Sequence, residues 1–167
     1  MITKIILLFG AVFFIVKLAT AQDGWKKYQV DEAVSIKFPG TPTPLNGRDA
    51  YYRNADSTTY YVYVEDYFDL TNLTGDELAE KEKTTDLANA FKDDLMNRMH
   101  GYMLGNVTIG KWHDHTTYTV SGGNEKAKTD MYVFAVFIQD NCYYLVVTLP
   151  DSHKTDKKDL FFGSLSQ

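Results

Sequence analysis

From Val34 to Phe38 apolar and polar residues alternate: Val34, Ile36 and Phe38 point one way, Ser35 and Lys37 the other. That is the period of a half-buried strand. Pro39 and Gly40 stop it, and Pro42 and Pro44, which cannot donate to a ladder, hold the following chain extended on an exposed side. Two tyrosine-rich, β-branched stretches come next, around 47–54 and 58–68, separated by Ala55, Asp56 and Ser57, and they predict a hairpin. In the second stretch Tyr60, Val62 and Val64 share one face while Tyr61, Tyr63 and Tyr67 share the other. Neither face is fully polar, so both are expected to be covered at least in part.

Thr74 and Glu77 stand at capping-box spacing, and Leu78, Leu87, Ala88, Phe91, Leu95 and Met99 follow at positions read as one helix face. The pattern predicts a long helix over 75–100, ended by Gly101. Beyond it, 107–112 and 116–121 predict strands joined at His113, Asp114 and His115, and SGGNEKAKTD predicts a polar loop. MYVFAVFIQ and CYYLVVTL are two apolar strands with Asp140 and Asn141 as their turn. A short closing helix is expected over 155–162. The expected core includes Phe91, Leu95, Phe134, Val136, Leu145, Val147 and Phe161, beneath a sheet of five to seven strands.

The first residues change the picture. Lys4 precedes an apolar run from Ile5 to Val16, and Ala19, Thr20 and Ala21 are small residues at cleavage spacing, the pattern of a secretory signal peptide over 1–21. The run is short for a membrane span and Lys17 interrupts it. No cysteine follows the small residues, which argues against lipid attachment. The expected product is an exported, periplasmic or secreted chain of one domain, 22–167. Loss of Lys4 and Lys17 would move the formal net charge from −5 to −7, a balance that disfavours nucleic acid and anionic lipid as partners. Cys142 is the single cysteine, so no internal disulfide can form and the apolar core must hold the fold.

The order of elements, together with a strand ending in Phe-Pro-Gly-x-Pro and a terminal Phe-Phe-x-Ser-Leu at Phe161, Phe162, Ser164 and Leu165, resembles the exported bacterial domains similar to PsbP and DcrB. The resemblance covers nearly all of 22–167. It implies an α+β fold, an α/β/α sandwich with a central antiparallel sheet, one long helix and a short C-terminal helix. The proline-rich exit would then be the crossing from the first strand into the sheet's second hairpin. Proteins of this fold act chiefly as binding or accessory subunits, in photosynthetic complexes or the cell envelope. No shared catalytic residue carries over, and fold likeness alone is a weak warrant for function.

Candidate chemistry is sparse. If the chain is extended at His113 and His115, both project to one face as a half-site for Zn²⁺ or Cu²⁺, but further ligands from His100, His153 or Cys142 would need tertiary contacts. The plainer reading is a pair of polar turn residues. Cys142 begins an apolar strand and has the setting of a small buried hydrophobe. Ser121 before Gly122 and Gly123 lacks the flanks of a nucleophile elbow. The carboxylate pairs Glu65–Asp66, Asp76–Glu77 and Asp93–Asp94 form no acid/base couple, since strand neighbours face apart and helix neighbours suit the dipole or solvent. Asn72 and Asn106 begin Asn-x-Ser/Thr patterns, incidental in a bacterial envelope. Tyrosines Tyr61, Tyr63 and Tyr67, with Tyr51, Tyr52 and Tyr60, combine large contact area with a polar tip and make either a binding surface or sheet packing beneath a helix. The function expected is that of a non-enzymatic envelope protein, a binding or accessory subunit without cofactor. The alternative is a metal-binding protein or metal-dependent enzyme built on His113 and His115.

Overall fold

The computed structural model describes residues 24–67 and 73–167. The proposed leader over 1–21 lies outside the described residues. No described helix is long and apolar enough to cross a membrane.

An eight-stranded antiparallel sheet forms the middle layer. Its strands run in the order β3 (Thr43–Pro44), β4 (Ala50–Arg53), β5 (Thr59–Asp66), β10 (Asn141–Pro150), β9 (Thr129–Ile138), β8 (His115–Asn124) and β6 (Met103–Leu104), and β7 (Thr108–Trp112) also pairs with β8. This exceeds the five to seven strands expected, because the two-residue strands β3 and β6 carry no readable alternation. Pro44 sits on β3, at an edge where its missing amide hydrogen matters least. The tyrosine-rich hairpin is β4–β5, with Tyr51 opposite Tyr61 and Tyr52 opposite Tyr60. The apolar hairpin is β9–β10, but its turn is Gln139–Asp140 rather than Asp140–Asn141. Asn141 pairs with Ile138, and Gln139 takes the positive φ of 55°.

Each long strand feeds two cores. Along β10, Cys142, Tyr144 and Val146 face one apolar cluster, and Tyr143, Leu145, Val147 and Leu149 face the other. The first cluster is closed by α1 (Gly75–Lys81) and α2 (Thr85–Arg98) through Leu78, Ala88, Phe91 and Leu95. On the opposite face lie Val30, Ile36, Phe38, Phe161 and Leu165, from a two-stranded sheet of β1 (Lys26–Gln29) with β2 (Ser35–Phe38) and from α3 (Lys157–Phe162). The result is the expected α/β/α sandwich, an α+β fold in which both faces of the sheet are covered. Of the expected core residues only Phe134 is partly exposed, stacking against Phe162 at 5.8 Å.

Three further differences from the sequence reading each have a physical reason. The expected helix over 75–100 is divided. Thr84 caps a second start by accepting from the Leu87 amide while its hydroxyl donates to the Lys81 carbonyl. Leu78 and Leu87 are nine residues apart, half a turn out of phase on a continuous helix, and the division lets both reach the sheet. The capping box at Thr74 and Glu77 is formed, and its hydrogen bonds hold the Glu77 carboxyl below its ordinary range.

The expected loop from Ser121 is strand as far as Asn124, and only 125–128 turn into β9. Glycine at 122 is a packing requirement: a Cβ there would stand 2.0 Å from the Met103 carbonyl oxygen, so β6 can approach β8 only over a bare backbone.

The first strand does not join the main sheet. β2 lies over its face, paired with β1, and the proline-rich exit carries the chain from that outer layer to the sheet edge. Tyr52 crosses this exit so closely that a Cβ on Gly40 would meet its ring at 2.4 Å. Ser35 is buried because the other end of the chain covers it. Ser35 and Ser166 exchange two backbone hydrogen bonds of 2.9 Å and share a hydroxyl contact of 2.8 Å, while the Lys37 amide donates to Ser164 Oγ.

Candidate functional site

The helix-side face of β5 and β10 is not wholly covered. Past the last turn of α2 a groove of about 350 Å³ remains, lined by Tyr61, Tyr63, Met99, Tyr102, Val146 and Thr148. The register explains its floor: Tyr61 pairs with Val146 and Thr59 with Thr148, two neighbouring rows pointing to the same side. Its roof is set by the end of α2, where Gly101, at φ 86°, turns the chain so that Met99 and Tyr102 overhang the sheet. No charged side chain among the described residues lines it.

Aromatic stacking makes the floor rigid. Tyr63 stacks on Tyr144 at 4.3 Å and 11°, and Tyr144 on Phe91 at 5.4 Å and 6°, so three nearly parallel rings run from the groove to the underside of α2. Tyr51 and Tyr61 stack at 5.8 Å along the outer wall. The Tyr102 hydroxyl is held 2.8 Å from Thr129 Oγ1. The buried Tyr63 hydroxyl has no hydrogen-bond partner among the described residues. Beside this end, Arg98 pairs with Glu65 and, at 2.8 Å, with Asp94. Burial raises the Tyr61 hydroxyl above the ordinary phenol value, and the positive charge of Arg53 opposes the shift.

Of the three tyrosines singled out in the sequence, Tyr61 and Tyr63 line the groove. Tyr67 lies deeper, its hydroxyl 3.1 Å from that of Tyr144 and its ring edge-on to Phe137. Tyr102, Val146 and Thr148 were not singled out: Thr148 is an ordinary strand residue and Tyr102 follows a helix stop, so only the tertiary fold brings them together.

His113 and His115 stand elsewhere, at the end of the β7–β8 hairpin. The chain is not extended there. His113 has φ 52°, and Trp112 pairs with His115 across the turn and contacts both imidazoles. His115 Nε2 lies 3.1 Å from the Gln167 side-chain amide nitrogen. A cleft beside it is also lined by Glu82, Asp114 and Asp140, yet no three metal-ligating side chains converge among the described residues. Replacing both histidines with alanine is expected to cost about 1 kcal/mol, the small loss that alanine at a positive φ and removal of the ring contacts to Trp112 entail. Urea unfolding and metal analysis check it together: Zn²⁺ or Cu²⁺ retained at stoichiometry by the wild type and lost by the variant would restore the metal reading. Cys142 is fully buried, and burial pushes its thiol well above the ordinary range, against a nucleophilic role.

Comparison with known proteins gives the fold. No family model matches the chain, and no curated protein matches it by sequence. Among solved structures, cyanobacterial PsbP (CyanoP) from Synechocystis is similar at a TM-score of 0.61 and 15% identity, over 85% of this chain and 91% of that one. The chain therefore has a PsbP-like fold, as the order of elements and the short motifs implied. Protein PA94 of Pseudomonas aeruginosa, described as of unknown function, aligns over 76% of this chain and 83% of its own at 8% identity, with a TM-score of 0.44 too low to bear on the argument.

Proposed function

We propose that this protein is an exported, non-enzymatic envelope protein that acts by binding, as an accessory subunit or ligand carrier. The observation that carries the reading is the groove of Tyr61, Tyr63, Met99, Tyr102, Val146 and Thr148, a concave apolar surface of the size that binding sites occupy. Tyrosine is well suited to such a surface because it offers rigid area and a polar tip at little entropic cost. The PsbP-like fold is in keeping with this reading. The leader-like pattern over 1–21 supports export.

A photo-crosslinking residue placed at Tyr61, with Lys111 on β7 as the comparison position, tests the binding face in the native envelope. Irradiation is expected to give a discrete adduct from position 61 and none from 111. Equal labelling from both positions, or none from either, counts against the groove. Intact mass of the same material is expected to show a chain beginning at Gln22; a species retaining Lys4 and Lys17 in the membrane fraction would replace export and cleavage with a signal anchor.

A further inference from the structure

The register of the sheet puts the backbone of one cationic residue in the same row as the groove, with its side chain outside the present lining. Arg53 on β4 is opposite Thr59 on β5, which is opposite Thr148 on β10, so the three form one row across the sheet. Arg53 also lies two residues beyond Tyr51, on the same side of β4. Tyr51 stacks on Tyr61, so this is the side that bears the groove. Strands are spaced by roughly 4.8 Å, which puts the Arg53 backbone about two strand spacings from Thr148, within the reach of a long side chain passing over Thr59. Arg53 is exposed and makes no ion pair among the described residues, whereas Arg98 at the other end is committed to Glu65 and Asp94.

A chain with a formal net charge of −5 thus has an uncharged, aromatic-walled groove and, in the row of Thr148 and two strands from it, an arginine that makes no ion pair among the described residues. We infer that the groove takes a small amphipathic monoanion, an aromatic or short aliphatic carboxylate, with its apolar body between Tyr61, Val146 and Met99 and its carboxylate on Arg53. A guanidinium is matched to a carboxylate by its fork of donors. A ligand of drug-fragment size fits the volume. The cleft beside α3 makes a contrast: Asp130, Asp151, His153, Lys154 and Lys158 line it, charges of both signs whose lost hydration an apolar body would not replace. This inference rests on the binding reading and assigns its ligand class.

The test uses the purified protein with labelled methionine methyl groups and two probes of the same shape, 2-naphthoate and neutral 2-naphthalenemethanol. Titration with naphthoate is expected to shift the Met99 methyl saturably while Met131, in the buried core, stays unmoved. Naphthoate is expected to bind about five-fold more tightly than the alcohol, the most a partly solvated ion pair supplies. Arg53→Gln should abolish that preference without weakening the alcohol, and Arg53→Lys should restore part of it. Thr148→Tyr, which fills the groove, should block both probes. Equal affinity of both probes for the wild type, an unchanged preference in Arg53→Gln, or a Met99 methyl that does not saturate would overturn the assignment. Such a result, with the crosslink at position 61 still formed, would leave the groove a binding face for another class of partner; loss of both would end the binding reading itself.

Discussion

Replacing Phe91 with alanine is expected to remove about 3–5 kcal/mol of unfolding free energy, the range for a large aromatic deleted from a packed core. Phe91 is 2% exposed and is the ring through which α2 holds the sheet. It stacks on Tyr144 at 5.4 Å and meets Tyr118 edge-on at 5.1 Å. Both tyrosines are anchored: Tyr144 lies against Tyr63, and the Tyr118 hydroxyl donates to the Glu82 carbonyl at 2.6 Å. Neither can slide into the space left, so the cavity should persist. Urea unfolding checks it, with the midpoint falling and the slope unchanged. A loss below about 1 kcal/mol would mean that the helix layer contributes little to the core.

Above pH 10 stability is expected to fall steeply, because the fold keeps protons on tyrosines that the unfolded chain releases. Tyr60, Tyr67, Tyr118, Tyr143 and Tyr144 are all buried, and in each burial is the main cause that raises the hydroxyl far above its ordinary value of 10.0. Tyr143 is raised further by donating to the Asp31 carboxylate at 2.7 Å. Below the ordinary phenol value both states are protonated and the contribution is fully present. Above it the unfolded state binds fewer protons than the native state, so stability declines as pH rises, by about 1.4 kcal/mol per pH unit for each such group. Five groups acting together predict a sharp alkaline transition. Denaturant titrations from neutral pH to beyond 10.0, read beside tyrosinate absorbance, should show this buried set ionising only as the chain unfolds. Gradual ionisation of all tyrosines at constant stability would refute it.

The layers were legible because alternation along β5 and β10 is strong enough to assign both faces. Tyr60 and Val62 face one core and Tyr61 and Tyr63 the other, as their positions require. Where local pattern and tertiary contact compete, contact prevailed. Ser35 is polar and buried because Ser166 reaches it, and Gly122 lies in a strand because its bare backbone lets β6 pair there. The break at Thr84 was present in the sequence as a phase error between Leu78 and Leu87, and in a threonine able to cap. The groove was half legible. Tyr61 and Tyr63 stood out by type, whereas Arg53 and Thr148 acquire meaning only from a register spanning three strands, which no local period encodes.

The clasp between Ser35 and Ser166 joins positions 131 residues apart. A growing chain offers Ser35 early and Ser166 late, so the outer layer of β1 and β2 cannot be sealed until translation has passed residue 166. During that interval Ile36 and Phe38 lack Phe161 and Leu165, their companions in the finished core. Such a delay slows folding, since a distant closure must be made before its contacts reward it. On the proposed reading of an exported chain, that lateness is an advantage: a polypeptide crossing a translocation channel stays loose enough to pass until residue 166 has followed.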